Sequence, residues 1–170
     1  MASRPLRVKF ANHYIFLTQG IFKILPMEFI RLNASTGEHE IYTRHQIAKF
    51  LERHLDQFGD KIEDILKCID YVMDPAKGGN ILIGTDNGEI AGITILNKTG
   101  MKGYIPENIL VYIAVDSAQR GKGYGKKLME EAISITDGGI ALHVEPENPA
   151  VHLYRKLGFT NKYLEMRLNQ

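Results

Sequence analysis

The fold class predicted for this 170-residue chain is a mixed α/β domain, a partly parallel central sheet flanked by helices. Three observations support this. Two neighbouring segments of the first half repeat apolar residues at helical spacing. An Asn-Gly turn joins two β-rich runs in the middle. The second half alternates strand and helix patterns.

The elements follow in chain order. Leu6 to Phe10, Tyr14 to Leu17 and Ile21 to Leu25 read as short strands, separated by the turn signals Asn12-His13 and Gln19-Gly20. They make residues 1–35 an N-terminal addition of extra strands. Thr43-x-x-Gln46 is a capping-box pattern, with Tyr42 and Ile47 placed as a hydrophobic staple. Ile47, Phe50, Leu51, Leu55 and Phe58 then recur at helical spacing until Gly59. Asp60-x-x-Glu63 starts a second helix with apolar face Ile62, Ile65, Leu66, Ile69 and Val72, ended by Asp74-Pro75. Asn80 to Thr85 and Glu89 to Asn97 form a hairpin across Asp86-Asn87-Gly88. Asn108 to Val115 is almost wholly apolar and reads as a central strand buried on both faces. A helix over about Gly121 to Thr136, a strand over Ile140 to Val144, a helix from Asn148-Pro149 to Gly158 and a last strand over Phe159 to Leu168 complete the series.

Composition bounds the function. The hydrophobic share of 44% and charged share of 24% are those of a globular domain. A net charge of +1 argues against a general nucleic-acid partner and makes any anion site local. The single cysteine, Cys68, excludes an internal disulfide framework and reads as a small apolar residue. With no repeat and no linker composition, residues 1–170 are expected to form one domain. Arg4, Arg7 and Lys9 precede an apolar stretch as in a signal peptide, but Thr18, Gln19 and Gly20 interrupt it and no small-residue cleavage pattern follows. No segment is apolar enough to span a bilayer. A cytoplasmic protein without a membrane partner is the expectation.

The segment Ile113-Ala-Val115-Asp-Ser-Ala-Gln-Arg120-Gly121-Lys-Gly123-Tyr-Gly125-Lys-Lys-Leu128 carries the chemistry. A strand ends, a short loop leads to glycines at alternate positions, and a helix begins. Glycines let backbone N–H groups approach a ligand, and the first helical turn leaves its N–H groups unpaired at the positive end of the helix dipole. That combination forms a phosphate cradle. Arg120, Lys122, Lys126 and Lys127 add full charges, although a glycine-rich turn with a solvated basic face reads the same way. A P-loop is disfavoured because Gly121-Lys122 is followed by Gly123, and Gly125-Lys126 by Lys127, where a magnesium-binding hydroxyl is needed. A dinucleotide fingerprint needs GxGxxG after an early strand, whereas the spacing here is GxGxG and late.

These residues resemble the GNAT acetyltransferase superfamily. Its signature, Arg or Gln-x-x-Gly-x-Gly or Ala, is matched by Arg120, Gly123 and Gly125. The segment Asn148-Pro-Ala150-Val-His-Leu153-Tyr154-Arg-Lys-Leu157-Gly158-Phe159 is similar to the family's Leu-Tyr-x-x-x-Gly-Phe element. The likeness is strong over residues 80–168 and begins at about residue 40. It implies the GNAT acyl-CoA N-acyltransferase fold and transfer of acetyl from acetyl-CoA to a primary amine of a small molecule or protein, with no metal. It also implies the site. Amides from Gly121 through Lys122, Gly123, Tyr124 and Gly125 to Lys126 would bind the pyrophosphate. The strand holding Ile113, Ala114 and Val115 would splay from its neighbour, and the pantetheine arm would pair with Ile113 and Val115. A backbone N–H near Ile113 would polarise the thioester carbonyl as an oxyanion-hole donor does.

Tyr154 matches the family's acid for the departing thiolate, and its ring also suits packing beside Ala150, Val151 and Leu157. The amine must lose a proton, and Glu107 is the first candidate base, with Glu145 second. His143 is expected to be packed or hydrogen-bonded rather than basic. In the commonest family spacing the asparagine lies seven residues before the tyrosine, a place held here by Glu147, so Asn148 is either a helix cap or a coenzyme contact. A non-catalytic coenzyme A or acyl-CoA binding module of the same fold is the alternative, and a nucleotide-dependent phosphotransferase a more distant one. The acceptor is not legible, and a homodimer stays open.

Overall fold

The computed structural model describes residues 7–10, 13–16 and 27–168. β1 (Arg7–Phe10) and β2 (His13–Phe16) form an antiparallel two-stranded sheet of their own. The strand expected at Ile21 to Leu25, and the outer ends Leu6 and Leu17 of its two predecessors, lie outside the described residues.

The main sheet has five strands in the order β3-β4-β5-β6-β7: β3 (Glu28–Leu32), β4 (Gly79–Asp86), β5 (Glu89–Lys98), β6 (Asn108–Val115) and β7 (Ile140–Leu142). β3 was not expected as a strand, and it belongs to this sheet rather than to an N-terminal addition. Its pairing through β6 is antiparallel, and β6 pairs β7 in parallel. The expected hairpin is present. Asn87 and Gly88 sit at φ 53° and 83°, the left-handed geometry of a type I′ turn, and Asp86 pairs directly with Glu89.

α1 (Arg44–His54) begins at the expected capping box: the Gln46 amide donates to Thr43 Oγ1, and the Thr43 amide donates to Gln46 Oε1 at 2.9 Å. It stops earlier than the periodicity suggests, because a 3-10 turn (Asp56–Phe58) follows, with Asp56 at a left-handed φ of 53°. α2 (Ile62–Met73) is not capped by Asp60. The Asp60 carboxylate accepts from the Tyr112 hydroxyl at 2.6 Å instead, and Glu52 of α1 accepts from the Ile62 amide. α3 (Tyr124–Ser134) starts later than expected, because Gly121 and Gly123 hold left-handed φ values of 79° and 83° that no α-helix contains. α4 (Ala150–Lys156) is close to expectation, with Asn148 Oδ1 accepting the Ala150 amide at 2.9 Å. No helix among the described residues is long and apolar enough to cross a membrane.

Two apolar layers sandwich the sheet. Ile47 and Leu51 of α1 and Ile65 and Ile69 of α2 pack with Ile81, Ile83, Ile93 and Ile95 on one face. Leu128, Met129 and Ala132 of α3 and Tyr154 of α4 pack with Leu82, Leu96 and Leu110 on the other. A Cβ on Gly92 would stand 2.5 Å from Leu128 Cδ1 and 2.9 Å from the Ala114 carbonyl, so α3 can lie this close to the sheet only over glycine.

Two further expectations are overturned. β6 is not buried on both faces: its burial alternates and Val111 is exposed. The cause is a β-bulge. Ile95 pairs with Tyr112 and Leu96 with Leu110, leaving Val111 as the extra residue. The bulge lets Leu110 join the α3 layer and Tyr112 the α1–α2 layer, although the residues are two apart. The strand expected at Phe159 to Leu168 is absent. A strand needs a ladder, and β7 is only three residues long and pairs with β6. Leu164, Met166 and Leu168 stay exposed.

Candidate active site

The site is assembled where β6 ends. β6 and β7 pair only through Asn108–Ile140, Ile109–Ala141 and Leu110–Leu142. Beyond Leu110, just at the bulge, β6 has no strand on that edge among the described residues. The Asp116 amide donates to the Ala91 carbonyl at 2.9 Å on the β5 side. Alternation in an antiparallel ladder then turns the backbone groups of Ile113 and Val115 to the open edge, and those of Ala114 inward to β5. Ile113 and Val115 therefore offer polar backbone groups to the gap. Ala114, expected with them, offers none and buries its methyl group against α1 and α2.

The glycine loop closes this end of the gap. Asp116 Oδ1 accepts the Ala118 amide at 2.8 Å and starts a 3-10 turn (Ser117–Gln119). Gly121 and Gly123 follow, the latter as N-cap of α3. A Cβ on either would meet nothing within 4 Å, so these glycines serve backbone direction and leave open space before the helix. Gly125 differs: its Cβ would lie 3.4 Å from Leu153 Cδ2 and 3.6 Å from Val115 Cγ2, which seats α3 against α4 and β6. First-turn amides and the helix dipole make this open space attractive to an anion.

The cations of the loop are not free in equal measure. Lys122 Nζ donates to Gln119 Oε1 at 2.7 Å, and Lys126 lies 3.4 Å from Glu130 on the exposed face of α3. Lys127 stands over the Tyr124 ring, whose hydroxyl donates to Asp86 at 2.6 Å. Arg120, expected to hold the coenzyme, is committed to the protein. Its Nη1 donates to Asp56 Oδ2 at 2.8 Å, its Nη2 to the His54 carbonyl at 2.5 Å, and its Nε to the Val115 carbonyl at 3.4 Å.

Tyr154 is fixed by the end of its own helix. Gly158, at φ 90°, donates to the Arg155 carbonyl and Phe159 to the Tyr154 carbonyl, the two bonds of a Schellman motif. The accompanying apolar contact is Tyr154 against Phe159, edge to face at 5.8 Å. The Leu-Tyr-x-x-x-Gly-Phe segment is thus a capped helix end that locks one tyrosine. Tyr154 lies in the α3 layer beside Leu153, which touches Gly125, and burial pushes its hydroxyl up to about 12.

Glu107 does not join these residues. Its carboxylate accepts the Gly139 amide at 2.7 Å and the Gly103 amide at 3.4 Å, and these backbone bonds, Gly139 foremost, hold it below the usual carboxylate range. It precedes β6, whose eight residues at roughly 3.3 Å each place it about 25 Å from the glycine loop. Glu145 is exposed after β7. His143, expected to be packed or hydrogen-bonded rather than basic, is exposed and directly follows Leu142, the last residue of β7 that pairs with β6. Asn148 uses its side-chain oxygen as a helix cap.

Sequence reasoning missed His54, Asp56 and Asp116 around Arg120, because contacts 63 to 66 residues apart leave no local pattern; the 3-10 turn cap at Asp116 alone had a sequence signal.

The acetyltransferase (GNAT) domain model matches residues 77–161, half of the chain. The chain belongs to the GNAT acetyltransferase family. Its matched region spans β4 through α4, so it contains the unpaired end of β6 and the glycine loop. The chain is 34% identical over 94 residues to the N-alpha-acetyltransferase RimI of Mycobacterium tuberculosis (strain ATCC 25618 / H37Rv), covering 54% of each chain. It thus spans about half the length of that curated relative. Among solved structures, the ribosomal-protein-alanine N-acetyltransferase of Brucella melitensis biovar Abortus 2308 superposes with a TM-score of 0.60 at 15% identity, covering 86% of this chain and 100% of that one. The aminoglycoside N-acetyltransferase AAC(6')-Iy in complex with CoA gives 0.61 at 15% identity over 85% and 95%. Both share the mixed five-stranded sheet flanked by helices.

Proposed function

We propose that this chain transfers the acetyl group of acetyl-CoA to a primary amine. The observation that carries this reading is the gap beyond Leu110, with polar backbone on its β6 edge and an anion cradle at its end. The fit to the coenzyme is favourable in kind. The open space at Gly121 and Gly123 admits a pyrophosphate against the amides of Gly121 to Lys126, and the β6 edge admits an extended amide-bearing arm.

Acetyl-CoA supplies the activated acetyl thioester. The chain supplies binding and direction. Ile113 and Val115 pair with the arm, and an N–H near Ile113 polarises the carbonyl where charge develops. Tyr154, kept protonated by burial, donates a hydrogen bond to the departing sulfur. A hydroxyl near 12 is a weaker acid than a thiol of about 8.5, so its role is stabilisation of the thiolate by that bond more than complete proton transfer. His143, exposed directly after the last β6–β7 pair, is the first imidazole to test as the group through which the amine loses its proton, ahead of Glu107, whose carboxylate is held by the Gly139 and Gly103 amides.

The first acceptor class to test is a peptide N-terminal α-amine, the class in the name of the curated relative. Aminoglycosides come second, from the name of a structural neighbour. The engagement of the Glu107 carboxylate by the Gly139 and Gly103 amides favours one other reading, a coenzyme A or acyl-CoA binding module without turnover. Acetyl-CoA should raise the melting temperature under both readings. Acceptor-dependent release of free thiol separates them, and its absence across peptide amines, lysine, polyamines and aminoglycosides would leave the binding module.

A further inference from the structure

The glycine loop is held to α1 by a cluster that the proposed chemistry does not use. His54 is the last residue of α1 and only 6% exposed. Its Nδ1 accepts the Ser117 amide at 3.1 Å, so this nitrogen carries no proton and the neutral ring holds its proton on Nε2. Nε2 faces Asp116 Oδ2 at 3.9 Å. Phe50 packs on the ring with centroids 4.4 Å apart. Three residues further along, Arg120 reaches back to the His54 carbonyl, a cation at a helix C-terminus, and to Asp56 in the next turn. The turn from Asp116 to Arg120 is therefore clamped at both ends to the end of α1. Gly121 begins the cradle directly after it.

We propose that His54 is a positioning residue for the coenzyme loop, whose neutral Nδ1 sets the Ser117 turn and, with Arg120 and Asp56, aims the Gly121–Lys126 amides. The inference rests on the acetyl-CoA reading. Its consequence is a pH latch. Protonation puts a second N–H against the Ser117 amide, so the bond is lost and the turn must shift. The groups around the ring are Asp116 after β6, which favours the charged form, Arg53 of α1 and Arg120 of the loop, which oppose it, and Asp56, which favours it. Burial is the largest influence and lowers the pKa of His54 below the ordinary value of about 6.5. The neutral, loop-holding form is complete above that value and is lost as pH falls through the lower folded value.

The test compares wild type with His54→Asn and His54→Leu for acetyl-CoA binding by calorimetry from pH 8 to pH 5, with melting curves at each pH. Asparagine presents Oδ1 where Nδ1 stood and does not titrate; leucine removes the acceptor. Dephospho-CoA is run in parallel, because a phosphate with a second pKa of about 6 titrates in the same range. The expected result is a loss of wild-type affinity of about fivefold or more towards pH 5, the scale of one hydrogen bond. His54→Asn should show a smaller loss, and His54→Leu should bind weakly at every pH while still melting cooperatively. If His54→Leu unfolds, the wild-type and His54→Asn profiles decide alone. Identical pH profiles in those two proteins, or wild-type affinity in a folded His54→Leu, overturn this inference while leaving the proposed function standing. Failure of folded wild type to bind any coenzyme A species at pH 8 overturns the proposed function, and this inference with it.

Discussion

Replacing Tyr154 with phenylalanine removes one hydroxyl and leaves the ring that packs edge to face on Phe159 and fills the α3 layer. Stability should change little. The structure sets the size of the catalytic effect. With its hydroxyl pushed to about 12, complete proton transfer to a thiolate of about 8.5 is uphill by roughly 5 kcal/mol. What the hydroxyl contributes is then a hydrogen bond to developing negative charge, about 1.5–3 kcal/mol. That corresponds to a fall in turnover of about 10- to 150-fold. The assay is thiol release at saturating acetyl-CoA with a working acceptor, with coenzyme affinity measured by calorimetry on the same preparation. Turnover should fall while affinity changes little, because the bond matters most as the thiolate forms. Unchanged turnover, under conditions where chemistry limits the rate, would refute the reasoning and leave Tyr154 as a packing residue. A loss confined to affinity would refute it differently, by assigning the hydroxyl to holding the coenzyme.

Other outcomes test the remaining parts of the site. Gly123→Asp should abolish acetyl-CoA binding in a protein that still melts cooperatively, because aspartate tolerates left-handed φ, its Cβ meets nothing within 4 Å, and its charge would sit in the anion cradle; calorimetry and melting curves check both halves. Gly92→Val should destabilise by about 1–3 kcal/mol or more in urea unfolding, since the new Cβ collides with Leu128 and with the Ala114 carbonyl. Glu107→Gln should leave turnover within about twofold of wild type, since proton transfer of the usual hundredfold or more is not its task. Because backbone bonds lower the Glu107 pKa in the fold, any melting-temperature advantage of wild type should be present above the usual carboxylate value of about 4.3 and vanish as pH falls through the lower folded value.

What can be read from the sequence is local in origin. The capping box at Thr43 and Gln46, the Asn87-Gly88 hairpin turn, and the glycine loop leading into α3 are each set by neighbouring residues, so each was visible as a pattern. The Gly158-Phe159 pair belongs with them: its Schellman bonds span six residues and hold Tyr154 in place. These segments determined the family-bearing motifs and most of the element order. The tertiary structure decided how they are used. The bulge at Val111 depends on a register shift against β5, so an apolar run that reads as doubly buried instead changes face. The tail from Phe159 alternates like a strand but has no ladder to join. Arg120 sits in the signature motif, yet its guanidinium is held by Asp56 and the His54 carbonyl, 64 and 66 residues away in sequence. Glu107 stands at the start of β6, at the opposite end from the glycine loop, where glycine amides hold its carboxylate. A motif states which residue types stand together in the chain. Only the fold states where their side chains find partners, because hydrogen bonds and close packing are made between elements that the sequence keeps far apart.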